Sequence, residues 1–359
     1  MLVACDVNAL RSGMKVGREV KDMDGKVILT KNTILNAETI QSLIGKNIFS
    51  VYVEEVDDNA SEMSQHDFLL DNEYIELYKK TFDRVQNIYY TLGRGGELDM
   101  NDLNYILDQK NIDELCNGAK AVTQIHNMTR DGDYIIHHAT NLGILAGLMS
   151  HWMNYSNDKT RELVMTGILC DVGKMKVPKE ILNKTGKLSA EEFDTMKRHV
   201  DYGYDMLKFS AIQSHKDVLM GILHHHERCD GSGYPNRVKG DNISDFGKII
   251  TILDIYDAMA ANRSYAKRNS PFDIFQILYE DVLNGKLDTT FGIAFMRRLC
   301  HSLNGNWVGL NNGQRAKIVY VDESRVSAMP IVQTTKNEFI DLNRVHDIKI
   351  EALLTANEV

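Results

Sequence analysis

Apolar residues recur every three or four positions through the middle of the chain, the spacing that places them on one face of an α-helix. This pattern begins near Asp67, is interrupted at Arg94-Gly95-Gly96, and continues from Leu103 to about Leu303. Beyond residue 306, apolar and polar residues alternate instead, which is typical of short, half-buried strands. The candidate strands of this tail are Gln314–Asp322, Pro330–Gln333, Glu338–Asp341 and Ile348–Glu351.

The first 56 residues have a mixed pattern that predicts a small α+β unit. Lys15–Val20 and Lys26–Thr30 flank a turn sequence and predict a strand-turn-strand hairpin. Asn36–Ile44 has the helical period, and Asn36 itself is a suitable N-cap. Phe49–Val53 then reads as a further strand.

Together these patterns predict a mostly α fold, with a helical bundle domain, a small N-terminal α+β domain and a short β-rich C-terminal appendage. We place the accessory domain at residues 1–56 and the helical domain at 101–305. A linker and connecting helix occupy 57–100, and the β-rich appendage occupies 306–359. The apolar helix face near Phe68–Tyr90 could form a homodimer seam, but we favour its packing in the domain's own core.

Charge and cysteine content narrow the classes of function. The net charge is −9 and no dense Lys/Arg run occurs, which argues against a nucleic-acid polymer as partner but not against a small anion. The five cysteines lie far apart without a CxxC pair, which fits a reducing compartment. No signal-peptide pattern occurs, and no apolar run approaches the ~20 residues that span a bilayer. We therefore expect a soluble, cytoplasmic protein with no membrane partner.

Several histidines and aspartates fall on separate predicted helices. Any one of them could be an ordinary surface or hydrogen-bonded core residue. Taken together, their imidazole and carboxylate groups suit Fe, Mn or Zn, and a helical bundle can bring such groups together in its core as a dinuclear site. The candidates are His138, Asp171, His199, His225, His226 and Asp254.

Four segments of the middle of the chain carry a recognisable pattern. Gly167–Lys174 reads GILCDVGK, His199 follows, His224–Pro235 reads HHHERCDGSGYP, and Asp254–Ala258 reads DIYDA. In order and context these segments resemble the HD-GYP family, whose members show an HD pair in GxLHDxGK, a distant His, HHExxDGxGYP and DxYDA. The resemblance covers roughly residues 131–267, and the GYP segment is its most specific part.

The resemblance implies a metal-dependent phosphodiesterase that hydrolyses cyclic di-GMP, or another cyclic dinucleotide, to pGpG or GMP in bacterial signalling. It places the six candidate residues on ligand positions for two divalent metals, Fe or Mn, with Asp171 bridging the two ions. It gives catalytic roles to Asp171 and Lys174, the latter at a substrate phosphate. Further substrate contacts are implied for Arg263, Lys267, Lys239 and Tyr234. The loop Gly233-Tyr234-Pro235 would shape the pocket and engage a protein partner.

Cys170 departs from the family pattern, because it stands where the HD pair has its histidine. A thiolate can bind Fe or Zn, so Cys170 is a candidate ligand, but its side chain is shorter by about an imidazole ring. One metal could therefore be lost. The alternative interpretation is a catalytically degenerate domain that binds a cyclic dinucleotide or a partner protein without cleaving it. A general HD phosphohydrolase is a third interpretation, which the GYP segment disfavours.

The position four residues before His138 also bears on the metal count. Some relatives hold a third metal with a glutamate there, whereas this chain has Tyr134. We therefore expect no more than two metals. His137 and His224 adjoin proposed ligands but would face other directions.

Overall fold

A computed structural model divides the chain into two compact units, residues 1–67 and residues 68–359. Each is described by itself. In the larger unit the structure describes residues 72–127, 134–260, 270–322, 325–326 and 328–354. In the smaller unit it describes residues 2–7, 10, 14–21, 26–35, 39, 43, 48 and 50–54.

The described residues of the smaller unit form two antiparallel sheets. Its strands are β1 (Leu2–Asp6), β2 (Lys15–Val16), β3 (Val20–Lys21), β4 (Val27–Leu29) and β5 (Ser50–Glu54). In one sheet β5 lies between β1 and β2, and in the other β3 pairs with β4. Buried Val16, Leu35, Leu43 and Val51 belong to its apolar core.

The predicted elements of this unit are only partly reproduced. Lys15–Val20 is not one strand as predicted, because β2 pairs with β5 while β3 pairs with β4. The strand β1 carries no turn signal and was not predicted. The turn at residues 22–25, most of the helix predicted over Asn36–Ile44, and the predicted linker lie outside the described residues.

The larger unit is mostly helical, as predicted. In the described part of this unit two short 3-10 helices, Val172–Lys176 and Gly240–Asn242, interrupt the α-helices. The α-helices, in chain order, are α1 (Asn72–Gly93), α2 (Met100–Ile106), α3 (Gln109–Leu115), α4 (Gly118–Asn127), α5 (Tyr134–Trp152), α6 (Asn157–Leu169), α7 (Lys179–Leu182), α8 (Ala190–Lys197), α9 (His199–Leu207), α10 (Lys216–His224), α11 (Asp245–Ala260), α12 (Pro271–Leu283) and α13 (Thr289–Ser302).

Local sequence explains where several helices begin. Ser189 caps α8 and Ser270 caps α12, each in a reciprocal capping box with the acid three residues later. Pro271 occupies the first turn of α12, where its missing N–H leaves no bond unmade. Helix α1 ends at Gly93, next to the predicted break at Arg94-Gly95-Gly96.

Helix α5 is the central element of the larger unit. Every residue from His138 to Ser150 is buried, so this helix is covered on all sides. The apolar face of α1, including Tyr74, Val85 and Ile88, packs in the same core. Functional groups on α5 are therefore held in a dry, close-packed interior.

A five-stranded antiparallel sheet follows the helices and shares their core. Its strands are β6 (Trp307–Leu310), β7 (Arg315–Tyr320), β8 (Ile331–Thr334), β9 (Phe339–Asp341) and β10 (Ile350–Leu353), in the order β10-β6-β7-β8-β9. Val308 and Ile318 pack in the same cluster as Leu299 of α13. The four predicted strands are present within a few residues, but β6 was not predicted, since Trp307–Leu310 is short and contains a glycine.

None of the helices in the described part of the chain combines the length and the apolar character that crossing a bilayer requires.

Gly173 allows the 3-10 helix Val172–Lys176 to approach the backbone of α9 unusually closely. A Cβ on this residue would overlap the carbonyl oxygen of His199 and the amide nitrogen of Gly203. Only glycine therefore lets the 3-10 helix Val172–Lys176 lie directly against α9. This contact fixes the distance between Asp171 and His199.

Replacing Gly173 with alanine is expected to destabilise the protein by at least about 2 kcal/mol, because backbone atoms cannot turn away from the added methyl group. Urea unfolding measures the change. Gly186→Ala is the matched control, since a Cβ at Gly186 meets nothing within 4 Å. Equal stability of the two variants would contradict the close packing of α9 on the 3-10 helix.

Candidate metal centre

Six imidazole and carboxylate side chains from different helices meet in the core of the larger unit. His138 lies on α5, and Asp171 follows the end of α6. His199 begins α9, and Asp254 lies on α11. His225 and His226 follow the end of α10. These are the six residues that the sequence singled out as candidate ligands.

The first group, cluster A, consists of Asp171, His199, His225 and His226, whose ligand atoms lie within 4.8 Å of one another. The Nε2 atoms of His199 and His225 are 3.4 Å apart. Both face the Oδ1 atom of Asp171, at 3.2 Å and 3.6 Å respectively. Two imidazoles thus converge on one carboxylate oxygen, and the third belongs to the same cluster.

Backbone carbonyls fix the orientation of two of these rings. The Nδ1 atom of His199 lies 2.7 Å from the Met196 oxygen, and that of His225 lies 2.7 Å from the Ile222 oxygen. Because a carbonyl oxygen can only accept, each Nδ1 must carry the proton and donate it. Each Nε2 therefore presents a lone pair, and two lone pairs 3.4 Å apart suit a shared cation between them.

Burial also favours the neutral form of two imidazoles in cluster A, those of His199 and His226. It lowers the pKa of His199 and holds the pKa of His226 well below its usual value. A neutral imidazole is the form that binds metals.

The second group, cluster B, consists of His138, Asp171 and Asp254. The Nε2 atom of His138 lies 3.0 Å from Oδ1 of Asp254 and 3.3 Å from Oδ2 of Asp171. Two carboxylates and one imidazole make this cluster richer in oxygen than cluster A. Asp254 also approaches His226, with its Oδ2 atom 3.5 Å from Nδ1.

Asp171 belongs to both clusters and turns one oxygen to each. Its Oδ1 atom faces cluster A and has no hydrogen-bond donor among the described residues, although the side chain is only 1% exposed. A buried carboxylate oxygen without a donor calls for a cation. Two His/Asp groups sharing one carboxylate fit a pair of divalent metal ions.

Lys174 contacts Oδ2, the other carboxylate oxygen of Asp171. Its Nζ donates to Oδ2 at 2.6 Å from the 3-10 helix, three residues further along the chain. Burial opposes ionisation of Asp171, but the charge of Lys174, followed by the contact with His138, holds its pKa well below the usual value. The carboxylate is therefore charged at neutral pH and available to a cation.

A second carboxylate, Asp257, positions His138. Its Oδ2 atom accepts from Nδ1 of His138 at 2.6 Å, and its Oδ1 atom accepts from Asn141 at 2.9 Å. Tyr78 in turn donates to the Asn141 side-chain oxygen at 2.9 Å. This chain of contacts directs Nε2 of His138 into cluster B. Asp257 lies in the DIYDA segment, and no role was predicted for it; its helical spacing of three from Asp254 was the available signal.

The loop containing Gly233-Tyr234-Pro235 forms one wall of cluster A. The Tyr234 ring lies 4.7 Å from the His226 ring, and Tyr234-Pro235 is a cis peptide. A Cβ on Gly233 would overlap the backbone of His226 and Arg228. The absence of a side chain therefore lets the loop lie directly against the segment that carries the ligands.

Glu227 organises this loop and does not join either cluster. Its side chain is 2% exposed, and Oε1 accepts from the Asn236 amide at 2.7 Å. Burial raises the pKa of Glu227, while backbone amides of Asn236, Arg237 and Val238 oppose the rise. No role was assigned to Glu227 from the sequence.

Cys170 belongs to neither cluster. Its Sγ donates to the Gly167 carbonyl at 3.3 Å, within its own helix. Burial, followed by the charges of Asp171 and Asp254, raises the pKa of this thiol well above its usual value. The side chain is thus a protonated, buried group turned toward the backbone, and its action as a ligand stays a prediction.

The remaining candidates lie apart from the clusters or outside the described residues. Arg263 and Lys267 fall in residues 261–269, which the structure does not describe. Lys239 is exposed, with its aliphatic stem against Gly231. His137 packs on Phe82, and the buried His224 accepts from the Ser244 amide at 3.1 Å. Tyr134 stacks on His138, with ring centroids 5.7 Å apart.

Comparison with known proteins agrees with this geometry. Residues 124–291 of this chain match the family model described as HD domain. This match agrees with the resemblance to HD-GYP proteins that the His225–Pro235 segment carries, with Cys170 in place of the first HD residue.

Two curated relatives act on cyclic dinucleotides according to their names. The 3'3'-cGAMP-specific phosphodiesterase 2 of Vibrio cholerae is 37% identical over 128 residues, which are 36% of this chain and 24% of the relative. The cyclic di-GMP phosphodiesterase PA4108 of Pseudomonas aeruginosa is 30% identical over 213 residues, 59% of this chain and 50% of the relative. The chain thus spans half or less of the length of these relatives.

Among solved structures, that of Bd1817, an HDG"Y"P protein from Bdellovibrio bacteriovorus, aligns with a TM-score of 0.49 and 16% sequence identity. The alignment covers 82% of this chain and 98% of that chain.

Replacing Asp257 with asparagine is expected to weaken the affinity for divalent metal by roughly 10- to 100-fold, because His138 loses the carboxylate that orients it. Titration of metal-stripped protein with Mn²⁺, followed by calorimetry, measures the change. Asp245→Asn is the matched control, since Asp245 lies exposed on the same helix. Equal affinities in the two variants would show that the His138–Asp257 contact does not support metal binding.

Proposed function

We propose that this chain hydrolyses cyclic di-GMP to pGpG or GMP with two divalent metals, Fe or Mn, held by clusters A and B. The observation that carries the proposal is the single buried carboxylate of Asp171 shared by two His/Asp groups. Ligands would be the six residues of the two clusters, with Asp171 bridging. The mixture of imidazole and carboxylate ligands suits Fe or Mn better than a soft metal.

The named activities of the relatives support a cyclic dinucleotide as the substrate class. One acts on cyclic di-GMP and the other on 3'3'-cGAMP, and both substrates contain two phosphodiesters in a ring. We favour cyclic di-GMP and treat 3'3'-cGAMP as the nearest competitor. The net charge of −9 fits a small ligand bound by local cations better than a polymer.

A divalent metal pair, when bound, neutralises phosphate charge and supplies an activated water. The chain's own residues bind and orient the substrate. Lys174 is placed beside Asp171 with 17% of its side chain exposed, so it can contact a phosphate oxygen as charge develops there. Tyr234 would hold one side of the ligand. Arg263, Lys267 and Lys239 are proposed as further phosphate contacts.

Cys170 favours a second candidate function. If the protonated thiol supplies no ligand, cluster B has only three donor residues, and the domain could bind a cyclic dinucleotide or a partner protein without cleaving it. The loop Gly233-Tyr234-Pro235 would then be the surface for that partner. We place either function in the cytoplasm, where unpaired thiols such as Cys116 and Cys170 are stable.

The wild-type protein, prepared without air, is expected to contain Fe or Mn and to cleave cyclic di-GMP. Asp171→Ala should abolish cleavage, because both clusters lose their shared ligand. Chromatography of the products from cyclic di-GMP and from 3'3'-cGAMP, with elemental analysis of the same samples, tests this. Metal-loaded wild type that binds cyclic di-GMP and leaves it intact would establish the second candidate instead.

Cys170→His is expected to add a donor and raise the bound metal toward two ions per chain. If Cys170 is what limits the wild-type enzyme, the rate of hydrolysis should rise with the metal content. Cys116→Ser is the matched control, since Cys116 is also buried and belongs to neither cluster. A Cys170→His protein with full metal and no hydrolysis would show that the site is inactive for another reason.

A further inference from the structure

The two oxygens of Asp171 are in different electrostatic situations. Oδ2, which faces His138 in cluster B, already accepts from the Lys174 ammonium at 2.6 Å. Oδ1, which faces His199 and His225 in cluster A, has no hydrogen-bond donor among the described residues. A cation entering cluster A meets a free carboxylate oxygen, whereas one entering cluster B meets an oxygen already neutralised by lysine.

The donor groups of the two clusters also favour cluster A as the stronger metal site. Cluster A offers three imidazoles and one carboxylate, and the tautomers of His199 and His225 are set by backbone carbonyls. Cluster B offers one imidazole and two carboxylates, with the Cys170 thiol turned to the Gly167 carbonyl. Cluster A is therefore preorganised for a metal, and cluster B is short of one donor.

We infer that cluster A binds its metal first and more tightly, and that the Lys174 ammonium takes the place of the second cation on Asp171 until cluster B is filled. This inference rests on the proposed metal centre, and it adds an order of loading and a competitor. Two cations on one buried carboxylate repel each other strongly at the low effective dielectric constant of a protein interior. Lys174 must therefore give up Oδ2, or share it, before cluster B can hold an ion.

The inference assigns Lys174 a second role besides its contact with substrate. A phosphodiester is an anion, so it offers the ammonium an alternative partner when Asp171 takes a second metal. Both substrate and the second metal would draw the Lys174 ammonium away from Asp171. By thermodynamic linkage, each would then strengthen the binding of the other.

Titration of metal-stripped full-length protein with Mn²⁺ tests the order of loading. The EPR signal of free aqueous Mn²⁺ reports how many ions each chain binds and how tightly. Wild type should show one tight and one weaker site. In Lys174→Gln, which keeps a donor to Asp171 but removes the charge, the weaker site should gain at least about tenfold in affinity. Lys174→Arg, which keeps the charge, should behave as wild type does.

Lys176→Gln is the matched control, because Lys176 lies exposed on the same 3-10 helix and its Nζ donates to the Gly93 carbonyl at 3.1 Å. It should leave both sites unchanged. His199→Ala should remove the tight site and leave the weaker one, which assigns the tight site to cluster A. Circular dichroism confirms that each variant is folded.

Two equal sites in wild type, or a weaker site that Lys174→Gln fails to strengthen, would overturn the inference. These outcomes are separate from the proposed activity. If wild type loads Mn²⁺ in this order but cleaves no cyclic dinucleotide, the proposed function fails and the order of loading stands. If wild type binds no Mn²⁺, the metal centre itself is wrong and the order of loading falls with it.

Discussion

The buried carboxylate of Asp171 is the interaction on which the rest of the site depends. Transfer of an isolated carboxylate from water to a protein interior is so costly that the group normally keeps a cation or a set of donors beside it. Here one oxygen has Lys174 and the other faces two imidazole nitrogens. A carboxylate with these neighbours is stable in the core only as part of a charge-balanced centre, and the surrounding helices supply the balance.

Helix ends supply the orientation of the ligands. Met196 and Ile222 lie in the last turns of α8 and α10, where backbone carbonyls remain accessible to side-chain donors. The Nδ1–H groups of His199 and His225 satisfy these carbonyls, and this directs each Nε2 toward Asp171. The same hydrogen bonds therefore tie each ring to a helix terminus and set tautomers that suit a metal. Gly173 brings Asp171 close to His199, because it lets the 3-10 helix lie against the backbone of α9.

The sequence predicted the helical architecture and the six converging side chains, and physical reasons explain what it did not predict. Long helices and the GYP segment have strong patterns. Strands β1 and β6 are short and lack turn signals, so tertiary pairing decides them. Asp257 orients His138, and Glu227 accepts from the backbone of the loop. Both contacts depend on which side of a helix or loop packs inward. A family pattern assigns a residue to a segment of the sequence. It does not tell which oxygen of Asp171 faces which imidazole, because that depends on the three-dimensional packing.

Cys170, which stands where the family pattern has a histidine, is expected to affect the two metal clusters differently. The fold tolerates it easily, because a small buried thiol packs like an apolar group and finds the Gly167 carbonyl as an acceptor. Cys170 is not among the residues of cluster A, so a metal there and the loop Gly233-Tyr234-Pro235 can remain in place without a histidine at this position. Cluster B, by contrast, must bind its ion with three residues against the competition of Lys174. Under the proposed function, the consequence of the substitution is therefore expected in the second metal alone, and that ion would decide whether a bound cyclic dinucleotide is also cleaved.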